Sequence, residues 1–272
     1  MHLFEYYERD SFLHRANPTI KLAAVFIMLL AVVMAFDPFT PLAFLLIAIA
    51  LMCCLGRIPL LYILRTLIPF WLVALGFVVT NAFLYNVSQE QTPTILARWG
   101  PFLVTREGLE AGLSLGLRAL AIVSYSMMFV MTTDPTDFIL SLIQQAHLSY
   151  RFGYGVLVSY RFMPLLQAEF DIIRAAHKVR GVGERAGLRD RYQQLKRYAV
   201  PLLASAIRKS ERVALAMDSK AFGAATRRTY YRALRIRSSD WLFLAGVVIV
   251  AILALAALAH LKLLKGYGLV PA

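Results

Sequence analysis

Two endings in the second half of the chain carry residue types suited to gripping a partner. They read Ala176-His177-Lys178-Val179-Arg180-Gly181 and Ala216-Met217-Asp218-Ser219-Lys220-Ala221, the latter followed by Phe222-Gly223. Each sets a long cation four residues after an alanine and closes at or near a glycine. Four residues is one helical turn, so alanine and cation share a face. A cation in the last turn suits the negative end of the helix dipole, worth about 0.3–1 kcal/mol, and a glycine just beyond accepts the left-handed cap. Capping accounts for either ending taken singly. Two of them, with their cations at 180 and 220, leave a second reading open, that of two equivalent contacts to a partner.

Other chemistry is sparse. His2, His14, His147, His177 and His260 show no HExxH or comparable spacing, so no metal site is expected of this chain. There is no GxxxxGK[ST] loop to hold ATP, and Gly181-x-Gly183 lacks the preceding strand of a dinucleotide fingerprint. Cys53 and Cys54 are adjacent in an apolar run, without zinc or redox spacing, and read as small hydrophobic residues. Glu107 and Glu110 are the one near pair of acids at a span boundary, too little for metal or general-base work. Arg118 sits inside an apolar run, where a charge is costly and normally paired. Glu110, or a backbone carbonyl of another span, is its expected partner. Arg65, near the start of its span, is expected to snorkel.

Composition says what positions these residues. The 272 residues are 59% hydrophobic and 17% charged, with mean hydropathy +0.62, against roughly 45–50% and about 25% in a soluble domain. That excludes a disordered, collagen-like or disulfide-stapled chain and argues against a single water-soluble core. The net charge of +13 and pI near 10.0 add a basic face turned to an anionic surface or an acidic partner. Five runs are apolar enough to cross a bilayer: 20–36, 41–55, 60–85, 109–131 and 241–259. The first two, joined at Asp37-Pro38, read as a helical hairpin, and Pro69 should bend the third. The polar and aromatic first nineteen residues show no signal-peptide pattern, so the first run reads as a retained span.

The expected fold is an all-α integral membrane protein of about five transmembrane helices, with long amphipathic cytoplasmic coupling helices between the fourth and fifth. The expected organisation is a four-span bundle at 1–131, a coupling module at 132–240, and a last helix and tail at 241–272. The module carries 19 Lys/Arg against 9 Asp/Glu, most of the chain's positive surplus. Arg227, Arg228, Arg232, Arg235 and Arg237 crowd the start of the last span, against Lys262 and Lys265 beyond its other end. The positive-inside rule makes the module and the N-terminus cytoplasmic. Within the module, apolar residues recur every three or four positions from Phe162 to Val179 and from Leu195 to Met217, the pattern of two amphipathic helices. Pro164 and Pro201 should start or kink them. A shorter helix at 137–148 precedes them, with Thr136 or Asp134 as its N-cap.

At these residues the chain resembles the transmembrane T component of energy-coupling factor (ECF) transporters, ATP-driven importers of vitamins and of cobalt or nickel ions. The resemblance rests on Asp10-Ser11-Phe12-Leu13-His14-Arg15-Ala16-Asn17-Pro18-Thr19-Ile20-Lys21-Leu22, on Thr132-Thr133, and on Arg161-Phe162-Met163-Pro164-Leu165-Leu166. It rests also on two sites like the family's Ala-Arg-Gly signatures: Val179-Arg180-Gly181, and Ser219-Lys220-Ala221, which has lysine in place of the arginine and alanine in place of the glycine. It implies that these two triplets contact a pair of ABC ATPase subunits, that Ala176, Ala216, Gly223, Arg161 and Pro164 support them, and that His14 and Arg15 pin the N-terminal segment. It implies a coupling subunit of the cell (inner) membrane that catalyses nothing itself. ATP and Mg²⁺ would be bound by the partner ATPases, with no cofactor on this chain, and the substrate by a separate membrane subunit, the S component. The competing readings are a membrane-embedded enzyme of the phospholipid-linked transferase type and a basic membrane scaffold. The first lacks clustered acids or histidines at a cytoplasmic membrane boundary. The second, including nucleic-acid binding, is disfavoured because acids interleave with the module's cations.

Overall fold

A computed structural model describes residues 9–34, 37–84, 95–99, 102–181, 188–224 and 229–261. Phe36 and Tyr85 at the expected span ends, and also His2, Gly183, Arg227, Arg228, Lys262 and Lys265, lie outside the described residues. The chain divides into two compact units, Met1–Ser141 with Leu234–Ala272, and Leu142–Ala233.

The first unit is a helical bundle built from α1 (Phe12–Arg15), α2 (Pro18–Val33), α3 (Phe39–Cys54), α4 (Leu60–Leu84), α5 (Arg106–Thr132), most of α6 (Pro135–Gln144) and α9 (Ser238–His260). Local chemistry sets several of its starts. Asn17 accepts from the Thr19 N–H at 3.1 Å with Pro18 in the first turn, and Thr105 accepts from the Gly108 N–H at 3.2 Å. Asp134 accepts from the N–H groups of Thr136 and Asp137 at 2.7 and 3.2 Å, so it is the cap of α6. Each satisfies a donor that the first helical turn leaves without an internal partner.

Apart from one short hairpin the described residues form helices, and the protein is a membrane protein of the all-α class. α4, α5 and α9 are long and apolar enough to cross a membrane. α2 and α3 have 16 residues each, about 24 Å of helix against a hydrocarbon core of about 30 Å. Their connection is fastened to α5: Asp37 accepts from the Thr40 N–H and hydroxyl, both at 2.7 Å, and its carbonyl accepts from Ser114 Oγ at 3.1 Å. α5 is the central helix, with 50% of its most apolar stretch buried against 22% for α4 and 17% for α9. Its Tyr125 hydroxyl donates to the Phe44 carbonyl at 3.0 Å. α4 packs against it closely at Gly112 and Gly116, where a Cβ would come within 2.8 Å of Val78 Cα and 2.9 Å of the Ala74 carbonyl oxygen. Small residues four apart let two backbones approach inside a membrane.

One feature was not legible in the sequence. β1 (Ile95–Trp99) and β2 (Phe102–Thr105) pair antiparallel, with Trp99 opposite Phe102 and a register shift between Ile95 and Ala97. β2 leads directly into α5.

The second unit holds α7 (Tyr150–Val179) and α8 (Leu188–Ser219). The helix bounds here differ from those expected. α7 starts at Tyr150 rather than near Phe162 and α8 starts at Leu188, so neither Pro164 nor Pro201 starts its helix; each lies inside it, where it removes one bond of the ladder. α6 covers Pro135–Gln144 rather than 137–148, because the Asp134 cap starts it earlier and the chain turns at His147, whose φ is +55°.

α7 and α8 are antiparallel. Moving forward along α7, its contacts move backward along α8. Tyr150 and Tyr154 meet Phe222 with ring centroids 5.7 and 5.9 Å apart. Glu169 accepts from Ser205 Oγ at 2.8 Å and from Lys209 Nζ. Phe170 and His177 then meet Tyr198 at 5.7 and 5.4 Å.

Candidate functional site: two capped helix ends

The two endings share one backbone geometry. At the end of α7 the Arg180 N–H donates to Ala176 O at 3.3 Å and the Gly181 N–H to Lys178 O at 3.1 Å, with Gly181 at φ +74°. At the end of α8 the Ala221 N–H donates to Asp218 O at 2.9 Å and the Phe222 N–H to Met217 O at 3.0 Å, with Ala221 at φ +53°. The second set is the Schellman pattern, and the first shows its inner bond. Gly181 and Ala221, each just after the cation, therefore occupy the same left-handed position. Glycine adopts it freely, whereas alanine does so at a cost of about 1–2 kcal/mol. The departure of the second triplet changes the side chain and leaves the turn.

Arg180 and Lys220 are both exposed, and so are Ala176 and Ala216, the small residues one turn before them. Val179 is 89% exposed, although it is apolar. It ends a stripe with Leu165 and Ile172, seven residues apart, which are 52% and 66% exposed. The opposite face of α7, with Phe170 and His177, packs on α8. Arg161 and Pro164 lie within α7, both exposed. Ser219 Oγ donates to Ala216 O at 3.0 Å, and Gly223, at φ +96°, has its carbonyl held by Arg151 Nη2 at 3.2 Å. Because the helices are antiparallel, the two endings lie at opposite ends of the pair. The separation is about the length of α7, roughly 45 Å for 30 residues.

The N-terminal signature builds a junction inside the first unit. Lys21, 1% exposed, donates from Nζ to Thr132 O at 2.8 Å and to Thr133 Oγ1 at 3.1 Å. These groups close the C-terminus of α5, where backbone carbonyls lack helical partners and favour a cation. Asp240, 3% exposed, accepts from the Asn17 N–H at 3.1 Å and the Arg237 N–H at 2.8 Å. His14 Nδ1 lies 2.6 Å from Ser11 Oγ. Arg15 pairs with Asp10 at 2.9 Å, and its guanidinium holds the Asp10 carboxyl below the usual carboxylate range. Glu110 pairs with Arg106 at 3.0 Å, and Arg118 is half-buried on α5.

The chain matches the cobalt transport protein family (CbiQ) over residues 9–231. It is 31% identical over 257 residues to the energy-coupling factor transporter transmembrane protein EcfT of Brevibacillus brevis, covering 91% of this chain and 94% of that one. It is 28% identical to the protein of that name in Acidaminococcus fermentans, covering 94% and 95%, and 27% identical to that in Bacillus subtilis, covering 93% and 95%. The chain belongs to the T-component family of ECF transporters.

As a T component the chain is the energy-coupling transmembrane part of a transporter rather than a catalytic enzyme, and among its described residues no three His, Cys, Asp or Glu side chains converge to hold a metal. Four side chains of the T component gain their importance only from the fold. Lys21 and Asp240 are buried charges at a span boundary, and the one local signal for Lys21 is a charge standing, like Arg118, in an apolar run. Arg151 and Phe222 carry no local signal, since Arg151 meets Gly223 and Phe222 meets Tyr150 and Tyr154, all about seventy positions away in the chain.

Proposed function

We propose that this chain couples ATP hydrolysis by two partner ABC ATPases to a separate substrate-binding membrane subunit. Val179-Arg180-Gly181 docks on one ATPase and Ser219-Lys220-Ala221 on the other. The observation that carries this reading is the antiparallel pairing of α7 and α8. It gives two similarly capped, exposed cations roughly 45 Å apart, far enough for separate subunits. An exposed cation offers a charge-assisted hydrogen bond to a carboxylate, and Val179 and the stripe behind it supply apolar area for a partner to cover.

ATP and Mg²⁺ are held by the ATPases, whose closure pushes on the two endings. The helices pass that motion to the S component, which selects the substrate, a vitamin or a cobalt or nickel ion. The chain is a multi-pass protein of the cell membrane, with its N-terminus and the α7–α8 unit in the cytoplasm, as the excess of Lys and Arg near the last span supports.

The test is charge reversal. Arg180→Glu should leave the protein expressed and membrane-inserted while abolishing uptake and weakening copurification of the ATPases. Unchanged uptake would overturn the docking role of Arg180. A cysteine at Tyr231, a fully exposed position, should react only with reagents that reach the cytoplasm; reaction from outside would reverse the assigned orientation.

A further inference from the structure

The second ending is held from outside its own helix. Immediately past Lys220, the Phe222 ring stands edge-on to Tyr150 and Tyr154, with interplanar angles of 75° and 81°. One residue further, the Gly223 carbonyl accepts from Arg151 Nη2 at 3.2 Å, and the Arg151 guanidinium lies 6.0 Å from the Tyr150 ring centroid. Gly223 has φ +96°, a backbone state that suits glycine. Downstream, Gln144 Nε2 donates to the Arg232 carbonyl at 2.9 Å. The backbone leaving the second ending is thus tied to the first turn of α7 and to the segment before it.

We propose that Arg151 is a positioning residue for the second ATPase contact, holding Lys220 in docking geometry by fixing the Phe222–Gly223 backbone against the start of α7. The proposal rests on the docking reading above and adds a role that neither triplet contains. Its physical basis is preorganisation. Lys220 is a flexible point charge, so its contact depends on how well the backbone beneath it is fixed, and a contact ordered in advance loses less entropy on docking. It also makes α7 a continuous strut, because its first turn braces one ending and its last turn is the other. Load applied at either ATPase then reaches the opposite contact along a single helix.

The test uses the full-length chain in membranes with its copurifying ATPases, and Cys53 and Cys54 replaced by alanine. A single reporter cysteine is placed at Ser219 or at Val179, and a thiol-to-amine crosslinker reads contact with the ATPases. Arg151→Ala should lower crosslinking from position 219 about fivefold or more, while that from position 179 changes less than about twofold. Phe222→Ala, which removes the ring contacts and leaves Arg151 in place, should show the same selectivity. Arg151→Lys keeps a donor for the Gly223 carbonyl and should recover at least half of the lost signal. An equal loss at both positions, or no loss at either, would overturn the brace, and a lysine variant as weak as alanine would overturn the hydrogen bond as its cause. Absence of crosslinks from both positions in the unmutated chain would instead overturn the docking reading, and the brace with it.

Discussion

The Lys21 ammonium lies 2.8 Å from the Thr132 carbonyl, joining the first turn of α2 to the last turn of α5 across 111 positions of chain. It is a fully buried cation whose donors go to Thr132 O, Thr133 Oγ1 and, at 3.5 Å, Thr132 Oγ1. Asp240 and Asp137 supply the neighbouring negative charge. A buried charge is tolerated only when paired and hydrogen-bonded in this way.

Lys21→Ala strips the donor from these oxygens and leaves a cavity in the junction. The expected cost is about 1–3 kcal/mol for the unsatisfied groups alone, read as a lower thermal unfolding midpoint in detergent. Lys21→Arg should also be harmful, because a planar guanidinium does not fit a site shaped for a compact ammonium. A midpoint unchanged by both would mean the junction contributes nothing to stability.

Ala221 is held at φ +53° by the Schellman bonds. Ala221→Gly relieves strain of about 1–2 kcal/mol, offset in part by about 0.4–1 kcal/mol of added freedom in the unfolded chain. It should therefore be tolerated, alone or with Lys220→Arg, and leave ATPase copurification intact. Ala221→Val forces a β-branched residue into the left-handed region and should reduce copurification. Equal recovery from the glycine and valine variants would dismiss the turn as a determinant of docking.

The Lys209 ammonium and the Ser205 hydroxyl, both bonded to the Glu169 carboxylate, hold its carboxyl below the usual range. A depressed folded value means that the unfolded chain binds the proton more readily. The stabilisation is then complete above the ordinary carboxylate range and is lost as pH falls through the folded value. Limited proteolysis of α7 and α8 should accordingly change little from neutral pH down to about pH 5 and accelerate below about pH 4. Glu169→Gln should flatten that response; an acid response identical to wild type would assign it to other carboxyls.

The two cations should not be equivalent. Arg180 can engage a carboxylate with two parallel bonds, whereas Lys220 offers one mobile charge. Charge-assisted bonds contribute about 1.5–3 kcal/mol when well formed, so Arg180→Ala should impair ATPase association more than Lys220→Ala. Pull-down over a salt series measures this, and a Lys220→Ala defect as large as that of Arg180→Ala would shift the explanation to the shape of each ATPase groove.

By itself the sequence determined the class of protein, the apolar helices, the two amphipathic helices and the pair of cation-bearing endings. All of these rest on interactions within a few residues: apolar periodicity, an Asp134 cap, a left-handed residue after a helix. For the cap of α6 the sequence offers two side chains, Thr136 and Asp134, and the geometry selects the Asp134 carboxylate. What only the tertiary structure decided depends on residues far apart in the chain. Whether α7 and α8 run antiparallel follows from Tyr198 settling between Phe170 and His177 and from Glu169 reaching Ser205 and Lys209, and no local pattern encodes that pairing. The same holds for Lys21 at the end of α5, for Gly112 and Gly116 beneath α4, and for Arg151 at Gly223. Each half of such a contact is an unremarkable cation or glycine until the fold supplies the other half. Periodicity records which face of a helix is apolar, but the partner for that face is chosen by shape and by the satisfaction of buried polar groups, which are properties of the packed chain as a whole.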